Sequence, residues 1–449
     1  MQGISGPDLI STRQEKIATL ARQAPEMGLT SLNHYLDYHW LHEAYLRTRK
    51  DGATGIDGQT AAAYAANLET NLRDLLERAK SGRYRAPAVR RVHIPKGDGS
   101  KTRPIGIPTF EDKILQRAVV MLLEPLYERD FLPCSYGFRP GRSQHQALQA
   151  LWDQTMAIGG GLFIEVDIKS FFDALDKVQL REILERRVRD GVVLRLIGKW
   201  LNAGVLEGGA ISYSETGTPQ GGVISPLLAN VYLHAVLDHW FEQDVKPCLK
   251  GQAFLIRFAD DAVLGFARDD DAVRVMAVLP KRFAKYGLAL HPEKTRMVNF
   301  HRPRTPKPPS GAGGSGPGTF DLLGFTHYWG KSRRGYWVVQ RKTANDRFSR
   351  AVRRTADWCR VNRHLPLAEQ QQALGQKLRG HYGYYGITGN SRALQRFLEE
   401  TKRRWRKWLG RRAQRTHRSW GWFVQLLDRY PLPQPRIVHS SLRRPANSG

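Results

Sequence analysis

Two aspartates adjoin at Asp260 and Asp261, between the apolar runs Phe254-Leu255-Ile256 and Ala262-Val263-Leu264. Short apolar runs bounded by a polar pair predict two strands meeting at a turn. The two-residue strand period sets Phe258 and Asp260 on one face and leaves Asp261 at the turn. Carboxylates this close repel each other and lose hydration together, a cost that a divalent cation removes. Taken alone, the pair is equally an Asp-Asp hairpin turn. Asp167 adds a third acid, ending an apolar strand through Leu162, Ile164 and Val166 and followed by Phe171-Phe172. On neighbouring strands Asp167 and Asp260 would flank a pair of Mg²⁺ ions roughly 3.5–4 Å apart, the spacing that serves in-line phosphoryl transfer. One ion would activate an attacking hydroxyl; the other would hold a triphosphate and its leaving pyrophosphate. Hard carboxylate oxygens suit Mg²⁺. The structural alternative for Asp167 is a strand-end cap of the next turn.

The elements around these acids can be read from period and punctuation. Residues 32–80 carry helical periodicity, broken by the turn-rich 51–58. Residues 89–95, a Gly-containing turn at 96–101 and residues 103–108 predict a basic hairpin. Residues 110–128 predict an amphipathic helix with Ile114, Ala118, Met121 and Leu122 on its apolar side and Pro125 near its end. Residues 161–172 read as a buried strand ending on Asp167, 177–202 and 223–243 as helices, and 254–266 as two strands. A Pro/Gly/Ser-rich stretch at 304–318 reads as an insertion or linker, and beyond 340 the sequence turns helical, basic and aromatic. No internal repeat is evident. The fold class is α+β, with an all-helical basic region following the mixed core.

Composition narrows the partner. Across 449 residues, 70 Lys and Arg against 42 Asp and Glu leave +28. That excess repels itself unless a polyanion screens it, and nucleic acid is the expected one. Between Thr401 and Arg418 there are nine Lys or Arg and no acid, with Trp405, Trp408 and Leu409 as an apolar stripe. The charges predict phosphate contact and the tryptophans predict core packing. Three cysteines without a CxxC pair argue against a disulfide scaffold and a zinc site. The absence of an apolar run of about 18 residues argues against a membrane span. With no secretory h-region at the N-terminus, a cytoplasmic location is expected.

The blocks then take on a family likeness. Phe258-Ala259-Asp260-Asp261 resembles the Y/F-x-D-D box of reverse transcriptases, and residues 167–173 resemble the first catalytic-aspartate block of the group II intron-encoded branch. In family order come Ile94-Pro95-Lys96 with residues 103–108, then 135–143, 218–227, 292–295 and 323–325. The likeness spans roughly residues 30–410. It implies a right-hand polymerase: an N-terminal extension and start of the fingers (1–84), fingers (85–160), palm (161–335), thumb or maturase X domain (336–410) and a basic DNA-binding tail (411–449). It implies catalytic Asp167, Asp260 and Asp261; a metal set of Asp167, Ile168, Asp260 and Asp261; and two Mg²⁺ ions, with Mn²⁺ as substitute. It also implies nucleotide contacts from Lys96, Arg103, Phe172 and Gln220, with Phe172 as the steric gate that rejects a 2′-hydroxyl.

Nucleic-acid contacts are expected from Arg139, Arg142, Lys294, Arg403, Arg404, Arg406, Lys407, Arg411 and Arg412. For Arg139 and Arg142 a structural ion pair is the alternative, and for Lys294 a brace on an aspartate. Ser225-Pro226 reads as the N-cap and first residue of a helix, and His291 and His381 as structural. Expected partners are the parent intron RNA, an RNA template, a DNA primer or target, and dNTPs; a homodimer is an open alternative. Against the larger members, a Cys-paired nuclease module is not expected here, Phe258 stands where Tyr is commoner, and residues 304–318 form an insertion. A domesticated enzyme of DNA repair or phage defence, and a maturase that only binds RNA, are the rival readings.

Overall fold

The computed structural model describes residues 6–96, 101–213, 221–303, 318–412 and 419–440. Among them the strands run β1 (Val89–Lys96), β2 (Lys101–Ile107), β3 (Leu162–Val166), β4 (Val205–Glu207), β5 (Ala210–Ser212), β6 (Ala253–Phe258), β7 (Asp261–Phe266), β8 (Arg296–Asn299), β9 (Phe320–Leu322), β10 (Phe325–Lys331) and β11 (Trp337–Thr343). They form three sheets, ordered β2-β1-β4-β5, β6-β7-β3-β8 and β11-β10-β9. The mixture of helices and sheets is α+β. The chain divides into two compact units, residues 1–147 with 164–297 and residues 148–163 with 298–449. The expected segments 85–160 and 161–335 are each divided between these units.

In the first unit the helix Phe110–Asp130 is buried on nearly every side, as befits a helix apolar all round. Thr109 caps it, its side chain accepting from the Asp112 amide. Pro125 lies inside this helix, in its C-terminal part. Proline cannot donate to the Met121 carbonyl. The Gln14 side chain donates to that carbonyl instead, at 3.1 Å. The stretch expected as one helix over 177–202 is two, Lys177–Glu185 and Gly191–Leu201. Asp190 causes the break: one carboxylate oxygen accepts from the Val192 and Val193 amides, the other from the Leu32 and Asn33 amides. The 223–243 stretch starts as the helix Ser225–Leu233 and continues in π-helical turns, His234–Asp238 and Trp240–Val245. Ser225 is its first helical residue and not the N-cap, which is Ile224.

Two sheets of this unit matter for chemistry. β1 and β2 form the antiparallel basic hairpin, with Ile94 opposite Arg103 and Lys96 opposite Lys101. The turn between them lies outside the described residues. In the other sheet β6 and β7 pair antiparallel, and β7 lies beside β3. From Ala253 to Arg257 every residue of β6 is buried. A sheet covered on both faces explains why its strands read as continuous apolar runs instead of alternating.

In the second unit β10 pairs with β11 and β9, and the helices Asn345–Val361, Leu367–Tyr385, Ser391–Leu409 and Trp420–Arg429 follow. Their core gathers Leu374, Leu378, Phe397, Leu398, Trp405 and Phe423. Trp405 is fully buried and donates to Gln370 at 2.9 Å, while Trp408 packs partly buried against the same core. The tryptophans are therefore packing residues, as their spacing predicts. The 304–318 insertion is described only at its last residue.

Candidate active site

The turn that carries the paired acids is tighter than the strand period implies. Phe258 pairs directly with Asp261 across β6 and β7, so Ala259 and Asp260 alone form the loop. Asp260 sits in the turn and Asp261 opens β7, the reverse of the expected placement. Ala259 has φ 56°, a left-handed conformation. Positive φ at the first loop residue only is the pattern of a two-residue II′ turn, where glycine is usual. An alanine there costs about 1–2 kcal/mol, so surrounding contacts must hold it.

Asp167 follows directly after β3, the strand beside β7. Its backbone is clamped by the 289–295 segment. Thr295 Oγ1 accepts from the Asp167 amide at 3.2 Å and donates to its carbonyl at 3.1 Å, and the His291 amide donates to the same carbonyl at 2.8 Å. Ile168 bridges Leu290, flanked by hydrogen bonds from Lys169 and His291. In such a pair the residue's own carbonyl turns to the opposite side. That carbonyl is the one hard oxygen the apolar Ile168 has to offer a cation. The Lys294 ammonium stands 3.2 Å from the Asp167 carboxylate, so Lys294 braces the aspartate.

The expected cage of three carboxylates is not assembled as side chains. Among the described residues no group of three or more His, Cys, Asp or Glu could hold a metal ion. Asp167 has Lys294 as its counter-charge. The donor chemistry nevertheless fits Mg²⁺: three carboxylates and a backbone carbonyl, all hard oxygens, at or just beyond the ends of the adjoining strands β3 and β7.

Phe172 lies just past Asp167 in the short helix Phe171–Ala174, half-buried and edge-on to Phe171 at 5.2 Å. Arg103 is exposed on β2. The Lys96 side chain and Gln220 lie outside the described residues. Gly221, which follows Gln220, has φ 123°, and a Cβ there would meet the Gly106 carbonyl at 2.5 Å. Only glycine lets this loop lie against β2. Behind it, Gln116 accepts from the Ile224 amide at 3.3 Å and donates to the buried Asp112 at 3.2 Å. Asp112 also accepts from Tyr84 and from Trp200. Burial pushes its carboxyl up to about 6, against the pull of these hydrogen bonds.

Arg139 is a correction. It is buried, and its five N–H groups serve Glu128 and the carbonyls of Phe131, Leu132 and Ser135. A guanidinium so spent cannot also bind phosphate; the alternative of a structural ion pair is the one observed. Arg142 is half-buried over the Tyr136 ring at 5.1 Å. In the second unit Arg403 and Arg404 pair with Glu400 at 3.0 and 3.2 Å. Arg406 stacks on Trp420, and Lys407 and Arg411 on Trp408. Arg412 turns inward to the carbonyls of Arg363 and Leu365.

The residue missed in the sequence is Arg257, read there as one position in an apolar strand. It is fully buried and ion-paired to Asp238 at 2.6 Å. A basic residue inside an otherwise apolar run, with an acid upstream in an apolar helix, was the available signal.

These blocks coincide with a known family. The sequence profile of the reverse transcriptase (RNA-dependent DNA polymerase) family matches residues 94–327. The chain belongs to the reverse transcriptase family. Its likeness is to the intron-encoded branch: it is 39% identical over 225 residues to the group II intron-encoded protein LtrA of Lactococcus lactis subsp. cremoris, covering 49% of this chain and 37% of LtrA. It is 38% identical over 233 residues to protein YkfC of Escherichia coli K12, covering 50% of this chain and 61% of that protein. A shorter match, 32% over 90 residues, covers 20% of this chain and 12% of nuclear intron maturase 1 of Arabidopsis thaliana. The matched part thus spans less than two thirds of each of these relatives. No helix among the described residues is long and apolar enough to cross a membrane.

Proposed function

We propose that the chain is an RNA-directed DNA polymerase of a group II intron that also binds the intron RNA as a maturase and supports intron mobility. The observation that carries this is the placement of Asp167 and Asp261 at the termini of adjoining strands β3 and β7, inside the family-matched region. Asp167, Asp260 and Asp261, with the Ile168 carbonyl, are the groups to hold Mg²⁺, Mn²⁺ being a substitute. Bound Mg²⁺ supplies Lewis-acid activation of a primer 3′-hydroxyl and neutralises triphosphate charge. The chain's own residues position the reactants. Arg103, Lys96 and Gln220 hold the nucleotide, and Phe172 excludes its 2′-hydroxyl. Lys294, released from Asp167, is placed to meet a phosphate. Arg142, Arg403, Arg404, Arg406, Lys407 and Arg411 track nucleic-acid backbone. The architecture is a right hand, with β1 and β2 in the fingers, Asp167, Asp260 and Asp261 in the palm, and the second unit's helices as thumb and basic tail. Its partners are the parent intron, an RNA template, a DNA primer and dNTPs, in the cytoplasm.

Primer extension on an RNA template with Mg²⁺ tests the reading. Asp260→Ala should lose synthesis by about 100- to 1000-fold, the scale of a lost electrostatic stabiliser, while its RNA affinity stays at the wild-type value. Equal extension by both proteins would refute the assignment. Wild-type RNA binding without any extension would favour the maturase that only binds.

A further inference from the structure

We propose that Arg257 is a positioning residue for this polymerase site, fixing the strained turn that presents Asp260 and Asp261. The inference rests on the proposed polymerase reading, since it names what orients that site's acids. Its basis is a chain of contacts inside the first unit. One guanidinium nitrogen of Arg257 donates to the Ala259 carbonyl at 2.9 Å and to Asn230 Oδ1 at 3.0 Å. Another donates to Ser135 Oγ at 2.7 Å and to Asp238 at 2.6 Å, while Nε donates to the second Asp238 oxygen at 2.6 Å. Asp238 is itself fully buried. The guanidinium is thus neutralised, aimed and immobile, and one of its hydrogen bonds falls on the left-handed alanine.

A second jaw closes from the 135–138 segment. The Arg257 amide donates to the Cys134 carbonyl at 2.8 Å, and the Tyr136 amide donates to the Arg257 carbonyl at 2.9 Å. Gly137 then lies so close that a Cβ on it would stand 2.2 Å from the Ala259 nitrogen. Asn230 joins the jaws, its side-chain Nδ2 donating to the Gly137 carbonyl at 2.6 Å. Ala259 is therefore held at its nitrogen by close packing and at its carbonyl by a charge-assisted hydrogen bond. A residue that prefers another conformation stays left-handed only under such constraint. Without it, the acids that follow lose their fixed direction.

The test uses the full-length protein. Arg257→Lys keeps a charge for Asp238 but cannot reach Asp238, Asn230, Ser135 and Ala259 together. It should lower kcat by about 10- to 100-fold with the dNTP KM within about twofold, as for a loss confined to the transition state. Adding Ala259→Gly, which accepts positive φ without strain, should restore about fivefold or more of that loss. Leu75→Ala, a core cavity in the helix Leu68–Ser81, serves as the stability control and should lower Tm without lowering kcat of the folded fraction. Hydrogen exchange over residues 258–262 should be about tenfold faster in Arg257→Lys, a readout independent of polymerase activity. Unchanged exchange overturns the brace whether or not the wild type extends a primer. Rescue failing with Ala259→Gly, or a kcat loss no larger than that of Leu75→Ala, overturns it as well. A wild type that extends nothing yet shows the faster exchange in Arg257→Lys would sink the polymerase reading and leave the brace standing.

Discussion

Side chains of one type do opposite work in this protein, and burial decides which. Arg139 and Arg257 are spent inside, on Glu128 and Asp238, whereas Arg411 is exposed over an indole. Truncating the first kind leaves a carboxylate without its partner; truncating the second removes an exposed charge that the proposed function assigns to a nucleic-acid backbone. Phe172 is the residue whose size would bear on substrate choice under the proposed polymerase reading. Half-buried beside Phe171, it has a fixed base and an open edge. Phe172→Ala should raise rNTP use relative to dNTP by roughly 10- to 100-fold, the range over which a steric contact discriminates, read from kcat/KM for the paired nucleotides. An unchanged ratio would make the ring a core residue.

Among the elements, the link between the hairpin β1–β2 and the segment from Gly221 to Ile224 responds to pH. Asp112 anchors that link through Gln116 to the Ile224 amide. Burial raises its carboxyl to about 6 from 3.8. A raised acid binds its proton more tightly folded than unfolded, so its stabilising contribution is full below about 4 and is lost as pH rises through about 6. Replacing it by Asn should therefore flatten the fall in stability between those values, by about 1–3 kcal/mol, as measured by urea unfolding at pH 4, 5, 6 and 7. Curves for mutant and wild type that stay parallel would show the carboxyl ionised throughout. The two strands of this hairpin and the strand-turn-strand around Asp260 were legible because their apolar runs and turn residues are local. The split at Asp190 was not, because Asp190 caps one helix while accepting from residues 157 and 158 positions away.

For the whole molecule, the +28 excess sets the governing interaction. Binding to nucleic acid should weaken steeply with salt through counterion release. Arg411→Gln should reduce the slope of log K against log salt by about one. Arg139→Gln should leave that slope alone and instead lower Tm, costing about 2–4 kcal/mol as a broken buried pair does. Equal slopes for wild type and Arg411→Gln would remove that residue from the interface, and a flat salt response would count against a nucleic-acid partner altogether.

The sequence by itself determined the family, the strand that leads into Asp167, the two strands that flank the paired acids, the basic hairpin and the helical basic region. Each is written in neighbouring residues, as period, turn chemistry or motif. Only the tertiary structure decided which cations are internal and what holds the acids. Arg257 meets Ser135 across 122 positions and Asp167 meets Lys294 across 127. The strain at Ala259 likewise follows from the Phe258–Asp261 pairing and the approach of Gly137. Local propensity carries no term for contacts so remote, because their energy exists only once the chain has folded.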